Sequence, residues 1–209
     1  MRIAVLAATG ATGRHLVTQA LARGHDVVAL ARNPDRLDLP ASPRLHPVAA
    51  DVTDPPSLTP GLSGADAVVS ALGRVEGSPD DILTTGARAL AAARASGPVP
   101  RVVWLSAFGT GGSARPAGPL TRALLRTVLG GEVSDKAGAD ALLLPLGASV
   151  VHAGPLTNGP LSPARTTVAL DDVPRRLLPR TVSRATVAAA MLDEARHPCH
   201  AGRVAVPLT

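Results

Sequence analysis

Short apolar runs alternate with helical patterns along the 209-residue chain. Residues 2–7 form an apolar, partly β-branched run of the kind found in buried parallel strands, and a glycine-containing turn follows. Similar runs predict strands at 26–31, 46–50, 65–71, 101–105, 148–153, 166–170 and 204–206. Helical spacing predicts a first helix ending near Gly24, a short one around Leu58 and Leu62, and others at 82–95, 120–129, 134–144 and 183–196. A loop is predicted at 109–119, which is rich in Gly, Pro and Ser.

Strands that alternate with helices indicate βαβ units. We therefore expect an α/β fold, with a doubly wound, mainly parallel sheet and helices on both faces. The length and the absence of a linker or repeat favour one domain over 1–209, with a small substrate-binding part formed by about 107–180. In such sheets, ligands bind beyond the carboxyl ends of the strands, so functional residues are expected just after each strand.

Aromatic and basic residues are distributed unusually. Trp104 and Phe108 are the only aromatic residues, tyrosine is absent, and Lys136 is the only lysine among 21 basic residues. The missing tyrosine excludes a phenol as catalytic acid, and the scarce rings argue against modules that stack RNA bases. The net charge is +5, but the arginines are dispersed, so we expect no nucleic-acid partner. Trp104 lies within a predicted strand and is expected in the core.

The cysteine count, the histidine spacing and the length of the apolar runs argue against disulfide-rich, metal-binding and membrane proteins. The single cysteine, Cys199, excludes a disulfide framework and a thiolate metal cage, and the histidines show no metal-ligand spacing, so we expect no metal site. The sequence contains no run of 18 apolar residues, so no membrane span is expected. The apolar run at the N-terminus is too short for a signal peptide. We expect a soluble cytoplasmic protein.

The turn after the first strand is a candidate phosphate-binding site. Backbone N–H groups at a helix N-terminus favour an anion, and glycines let it approach the backbone. Strand, turn, helix and second strand follow one another within the first 31 residues, which is the order that a dinucleotide site requires. A purely structural turn would also need glycines and stays the alternative. The candidate residues are Ala8, Thr9, Gly10, Ala11, Thr12 and Gly13.

The chain resembles atypical short-chain dehydrogenase/reductases, and more closely the NmrA-like and biliverdin reductase B (flavin reductase) group. The matching segments are 7–13 (AATGATG), 30–34 (LARNP), 50–52 (ADV), 70–73 (SALG), 105–108 (LSAF), 154–160 (GPLTNGP) and 181–185 (TVSRA). Together they span nearly the whole chain. The resemblance implies a Rossmann-like fold that binds NAD(P). Ala7 stands where the family has its first glycine, and this methyl group is expected to weaken cofactor binding.

The resemblance also implies where the nucleotide lies. Arg32, at the end of the second strand, matches the position that contacts the 2′-phosphate in relatives that prefer NADP, so we expect NADPH as the cofactor. A surface arginine is the alternative. Asp51 and Val52 match residues beside the adenine, although Asp51 is equally suited to forming a turn. Ala71, Leu72 and Gly73 follow the fourth strand and are expected near the ribose.

Candidate reaction residues follow the fifth strand and the long loop. By resemblance, Ser106 lies near the nicotinamide and the substrate carbonyl, where its hydroxyl would stabilise a developing oxyanion. Phe108 would form an apolar wall. Lys136 lies on the helix that carries the superfamily's catalytic lysine, with Glu132 at the place of the usual tyrosine. A solvated surface charge is the alternative for Lys136.

A third candidate for proton transfer is His152. It ends the sixth strand at the same sheet edge as Ser106, but many relatives have arginine there, so no family role transfers to it. A buried core histidine is the alternative. Pro155 stands where the flavin reductases have a histidine, and Pro155 and Leu156 are expected to line the substrate pocket.

Three functions remain open from the sequence. The first is an NADPH-dependent reductase acting on a flavin, quinone, enone or carbonyl as its small-molecule substrate, in a monomer or a homodimer. The second is a non-redox isomerase, cyclase or lyase on the same fold, which Ala7, the missing tyrosine and His152 motivate. The third is a regulator that senses NADP without turnover.

Overall fold

The central sheet and its flanking helices follow from the apolar runs. The computed structural model describes residues 1–96, 101–114, 130–174 and 180–209. In these ranges the strands are β1 (Arg2–Leu6), β2 (Asp26–Ala31), β3 (Leu45–Ala49), β4 (Ala67–Ser70), β5 (Val102–Ala107), β6 (Ser149–Ala153), β7 (Leu156–Thr157), β8 (Thr166–Ala169), β9 (Val182–Ser183) and β10 (Val204–Leu208). The helices are α1 (Ala11–Ala22), α2 (Thr59–Leu62), α3 (Ile82–Ser96), α4 (Glu132–Leu143) and α5 (Arg184–Arg196).

The main sheet has the strand order β3-β2-β1-β4-β5-β6-β10-β8. Neighbouring strands run parallel, except that β8 runs antiparallel to β10. The chain builds outward from β1 through β2 and β3, then returns to the other side of β1 at β4. The predicted doubly wound, mainly parallel α/β fold is therefore confirmed, and its switch point lies between β1 and β4.

Alternate side chains of the strands bury against helices on both faces of the sheet. Ala4 and Leu6 of β1 join the core beneath α2, α3 and α4. Ile3 and Val5 of the same strand join the core beneath α1 and α5. Each inner strand is thus apolar on both sides, which explains its continuous apolar run. Trp104 is 1% exposed, which confirms its predicted place in the core.

Several predicted boundaries differ from the structure. The fourth strand is shorter than 65–71, whereas the fifth extends to Ala107 because Ser106 and Ala107 pair with β6. Strands β7 and β9 were not predicted, since two residues each are too few for a periodic pattern. The predicted helix 120–129 lies outside the described residues. In residues 109–114, the described part of the predicted loop 109–119, a 3₁₀ turn covers Gly111–Ala114. No helix in the described ranges is long and apolar enough to cross a membrane.

Helix α4 is fixed against α3 by a buried carboxylate. Asp135 accepts hydrogen bonds from the backbone N–H groups of Leu83 (2.9 Å) and Thr84 (2.8 Å) in the first turn of α3. A negative charge there also complements the helix dipole. A methyl group on Gly138 would lie 2.9 Å from the hydroxyl oxygen of Thr84, so a glycine permits this close approach. Asp135 therefore holds in place the helix that carries Lys136.

His25, between α1 and β2, makes stability depend on pH. Burial lowers the pKa of His25 below 6.5, and the N-terminus, Arg23 and Arg196 lower it further. Below pH 6.5 the unfolded chain therefore binds more protons than the folded chain. We expect the free energy of unfolding to fall as the pH drops through 6.5 towards the lowered pKa, and to fall less in His25→Gln. Urea unfolding at several pH values checks this, with the exposed His46→Gln as the control. Parallel pH profiles for the protein and His25→Gln would contradict it.

Candidate functional site

A large cavity opens at the carboxyl ends of the central strands. Its volume is about 1340 Å³, and residues that follow β1, β2, β3, β4, β5 and β6 line it. It therefore lies across the switch point, where this fold binds ligands. Most of the predicted site residues line it: Thr9, Gly10, Ala11, Thr12, Arg32, Asp51, Val52, Ala71, Leu72, Gly73, Ser106, Phe108, Lys136, Pro155 and Leu156.

The turn between β1 and α1 forms part of the cavity wall, between the residues that follow β2 and those that follow β4. Gly10 is the N-cap of α1, and no side chain caps the helix there. The first-turn N–H groups are thus left for another acceptor, and the positive end of the helix dipole points the same way. Arg14 bonds the carbonyl oxygens of Thr9 (3.2 Å) and Arg36 (2.9 Å), which ties the turn to the segment after β2. The turn fits the pyrophosphate of a dinucleotide.

Ala8 and Gly13 lie behind the wall of the cavity. Ala8 is fully buried, and its N–H donates to the carbonyl oxygen of Leu30 at 3.1 Å. A methyl group on Gly13 would lie 2.1 Å from the carbonyl oxygen of Ala7. Gly13 therefore lets α1 pack directly onto the turn. Direct contact of either residue with a cofactor stays a prediction.

Ala7 has a left-handed backbone with φ of 59°. A Cβ atom in this region costs about 1–2 kcal/mol, and glycine avoids that cost. We expect Ala7→Gly to raise the Tm by about 2–4 °C, since about 1 kcal/mol shifts the Tm of a chain of this size by that amount. Because Ala7 also lines the cavity, the same change is expected to strengthen NADPH binding.

Differential scanning calorimetry and NADPH titration check both effects. The matched control is Ala8→Gly, which removes a buried methyl group at a position without positive φ and should lower the Tm. A lower Tm in Ala7→Gly would contradict the inferred backbone strain at Ala7.

Two arginines flank the cavity beyond β2. Arg32 and Arg36 are both exposed and both line it. Asn33, between them, accepts a hydrogen bond from the N–H of Asp35 at 3.0 Å, which turns the chain into a 3₁₀ helix and brings Arg36 back to the cavity. In the part of the chain that the structure describes, neither guanidinium pairs with a carboxylate. Both are therefore available to an anionic ligand.

Asp51 forms a turn and also lines the cavity, and its place beside the adenine stays a prediction. Its Oδ1 accepts hydrogen bonds from the N–H (2.9 Å) and the hydroxyl (2.8 Å) of Thr53, so it forms a turn. It also lines the cavity beside Val52, on the side of Ala71 and Leu72. A nucleoside placed between these strands would meet one carboxylate and an apolar wall.

Another part of the cavity wall contains predicted reaction residues. Ser106 is 3% exposed, and Phe108 lies beside it as an apolar wall. Lys136 Nζ lies 3.0 Å from Glu132 Oε1, and both side chains line the cavity. The salt bridge keeps the lysine at the cavity wall. The structure thus brings Ser106, Phe108 and Lys136 to the cavity that the turn between β1 and α1 also lines.

His152 lies outside the cavity. It is fully buried, with Nε2 3.0 Å from Asp140 Oδ2 and Nδ1 2.6 Å from Ser113 Oγ. The register pairs it with Ser106 on β5, as predicted, but its ring points into the protein. A direct catalytic contact by His152 would require a conformational change. Any role without one has to pass through Asp140 and Ser106.

Sequence reasoning missed several residues. Asp140 follows Lys136 by four residues, so the two share one face of a helix, and this spacing was the available signal. Arg36 follows Arg32 by four residues across a turn that begins at Pro34. Arg184 also lines the cavity, held by Asn158 Oδ1 at 2.7 Å. No metal-ligand cluster occurs among the residues described.

Known proteins share this fold. Oxidoreductase ylbE from Lactococcus lactis has a TM-score of 0.82 and 19% identity, covering 99% of this chain and 90% of that one. Anaerobillin reductase ChuY from Escherichia coli O157:H7 has a TM-score of 0.78 and 19% identity, covering 100% and 97%. A candidate NADH-flavin reductase from Streptococcus pneumoniae TIGR4 has a TM-score of 0.78 and 19% identity, covering 100% and 99%. At these identities the likeness shows the fold.

Sequence comparisons add relatives and a family. An uncharacterized protein of Mycobacterium tuberculosis H37Rv is 37% identical over 107 residues, which are 51% of this chain. The match spans only 12% of the length of this curated relative. The family model described as NAD(P)H-binding matches residues 7–198. This match takes in the turn between β1 and α1, Arg32, Arg36, Ser106 and Lys136, and the chain belongs to the NAD(P)H-binding family.

Proposed function

We propose that the protein is an NADPH-dependent oxidoreductase of the atypical short-chain type that reduces a small molecule. One observation carries the proposal. The same cavity is lined by an uncapped helix N-terminus and by Ser106 with Lys136. The first feature suits a dinucleotide, and the second suits a polar acceptor beside it. The chemical class that fits is a flavin, a quinone, an enone or a carbonyl compound.

NADPH is favoured over NADH by the charges beyond β2. Arg32 and Arg36 line the cavity without carboxylate partners in the described ranges, and a guanidinium offers a planar fork to a phosphate. A carboxylate that would bind the ribose diol of NAD is expected at this strand end, yet Arg32 stands there. Asp51, after β3, is left for the adenosine.

The protein's own groups position the acceptor. Bound NADPH supplies a hydride, and the residues around it contribute mainly proximity and orientation. Phe108 and Leu156 offer apolar walls to a flat acceptor, whereas Ser106 places a hydroxyl at the same end. Lys136, kept at the wall by Glu132, adds a positive charge that favours electron density on the acceptor.

A non-redox reaction is the second candidate. The observation that favours it is the buried Asp140–His152 pair next to Ser106, because acid–base groups of this kind also serve isomerases and lyases. In that case, substrate conversion would proceed without loss of NADPH absorbance. The two candidates are therefore separated by one spectrophotometric assay.

The test is NADPH oxidation with a panel of flavins, quinones, enones and dicarbonyls. We expect turnover with at least one class, and a loss of about 10²-fold or more in Ser106→Ala and Lys136→Met, the range seen when one stabilising or proton-transferring group is removed. Arg88→Ala, which removes an exposed cation from α3, is the matched control and should keep full activity. Absence of NADPH oxidation with every acceptor would contradict the reductase.

A further inference from the structure

Ser106 is the outermost member of a buried chain of polar side chains. Its Oγ donates to Asp140 Oδ2 at 3.0 Å, and His152 Nε2 lies 3.0 Å from the same oxygen. On the far side of the ring, Nδ1 lies 2.6 Å from Ser113 Oγ. All four residues are at most 3% exposed. Only Ser106 among them lines the cavity, so it connects the chain to a bound ligand.

We assign a proton to His152 Nδ1 from the hydrogen bonds around Ser113. The single hydroxyl hydrogen of Ser113 is donated to the carbonyl oxygen of Thr110 at 2.9 Å, and Ser113 Oγ accepts from the N–H of Gly109 at 2.7 Å. The contact with Nδ1 is then satisfied only if the ring nitrogen is the donor.

A second proton has to lie between His152 and Asp140. Two bare lone pairs 3.0 Å apart in a dry interior would repel each other, so either Nε2 or Oδ2 carries a hydrogen. Asp140 Oδ1 is buried and accepts no hydrogen bond from the described residues. A full negative charge on this carboxylate would therefore be poorly stabilised, which favours a proton shared between Asp140 Oδ2 and His152 Nε2. The pair as a whole is neutral and holds one transferable proton.

Other charged groups near the pair are already engaged. On α4, Lys136 is paired with Glu132, and Asp135 caps α3. On α3, Arg88 faces solvent beside Asp81, and Arg94 lies near Gly147 beyond the end of α4. Strands β5 and β6 and the turn Gly111–Ala114 add no further charged side chain. Among the described residues, the Asp140–His152 pair is therefore the buried ionisable pair that contacts Ser106.

We propose that Asp140 and His152 form a buried proton reservoir and that Ser106 passes its proton to the reduced acceptor, an inference that rests on the proposed reductase function. As the acceptor gains a hydride on one atom, the Ser106 O–H bond breaks and its proton forms a bond to the oxygen or nitrogen of the acceptor. Ser106 Oγ takes the proton shared by Asp140 and His152. The pair is left with one negative charge, which would offset the positive charge that the nicotinamide ring acquires when NADPH gives up a hydride. Water entering after product release returns the proton through Ser106.

In this scheme Ser106 is the catalytic residue, and Asp140 and His152 are positioning residues that act through it. The chain contains a matched control, since the buried Glu194 forms a second carboxylate–histidine pair with the partly buried His200 (3.0 Å) away from the cavity. Loss of that pair affects the fold but no proton path to the ligand. Glu194→Gln therefore separates general effects of a broken pair from effects on the relay.

Proton NMR of the protein with ¹⁵N-labelled histidine tests the reservoir without turnover. We expect a low-field imidazole signal from the hydrogen bond between His152 and Asp140. It should vanish in Asp140→Asn and His152→Gln, shift in Ser106→Ala and stay in Glu194→Gln. Absence of this signal in the unsubstituted protein, or its persistence in Asp140→Asn, would overturn the proton assignment.

Kinetics test the relay. In Asp140→Asn we expect kcat to fall by about 10²-fold with an unchanged KM and an unchanged NADPH Kd, together with an altered solvent isotope effect and pH profile. Ser113→Ala, which removes only the partner on the far side of the His152 ring, replaces Asp140→Asn if that variant fails to fold. We expect Ser113→Ala to lose less kcat than a folded Asp140→Asn. Full kcat with the original isotope effect in a folded variant would overturn the relay. If the unsubstituted protein fails to oxidise NADPH with any acceptor tested, the proposed function fails, and the NMR signal alone decides on the reservoir.

Discussion

Gly13→Ala is expected to destabilise the protein by about 3 kcal/mol and to remove most NADPH binding. The added Cβ would lie 2.1 Å from the carbonyl oxygen of Ala7 and 2.9 Å from two backbone atoms of Ala8. Since all three contacts are to backbone, α1 or the turn has to move, and overpacking of this kind costs about 1–3 kcal/mol. A shift of the turn also displaces the N–H groups that would hold the pyrophosphate.

The matched control for this substitution is Gly131→Ala. Gly131 has a helical backbone, and an added Cβ would meet nothing within 4 Å. The free energy of unfolding of Gly131→Ala should stay within about 0.5 kcal/mol of that of the original protein. Thermal unfolding should show a fall in Tm of roughly 6–12 °C for Gly13→Ala alone. An unchanged Tm together with unchanged NADPH affinity in Gly13→Ala would contradict the proposed geometry of the turn.

Arg32→Ala is expected to weaken NADPH binding by about 10- to 100-fold while leaving NADH binding nearly unchanged. A hydrogen bond to a charged group is worth about 1.5–3 kcal/mol, which converts to this range of affinity. Arg36→Ala should have a smaller effect in the same direction, and the double variant should lose the preference for NADPH. Both arginines line the cavity and are free of carboxylate partners within the ranges that the structure covers.

Titration calorimetry with both cofactors measures this preference. Arg44→Ala removes an exposed arginine that does not line the cavity, so it controls for the loss of one positive charge. Equal weakening of NADPH and NADH in Arg32→Ala would show that the arginine contacts a part that both cofactors share. Unchanged affinities would remove Arg32 from the site.

Much of the fold was predictable because the inner strands are buried on both faces. Residues 2–7 and 26–31 are continuous apolar runs for that reason, and the turn at 8–13 identifies their connection. The positions after the first, second and fifth predicted strands include Thr9, Arg32 and Ser106, all of which line one cavity. The sheet order itself follows from long-range pairing, and the periodic pattern does not encode it.

Other parts of the site depend on burial and on tertiary contacts. The spacing of Lys136 and Asp140 indicates one helix face, yet only the packing of α4 shows that Asp140 is buried against His152. Gly13 looks like a phosphate contact in the sequence, whereas the structure shows it packed against Ala7. His152 looked like a candidate for direct catalysis, because a strand end gives no information on which way the ring points.

The central claim is that the cavity binds NADPH with its phosphates on the turn and beside Arg32. The most direct measurement is isothermal titration of the unsubstituted protein with NADPH and with NADH. The account predicts one NADPH per chain and at least about tenfold weaker binding of NADH, a difference of about 1.4 kcal/mol. Binding of neither nucleotide would contradict it.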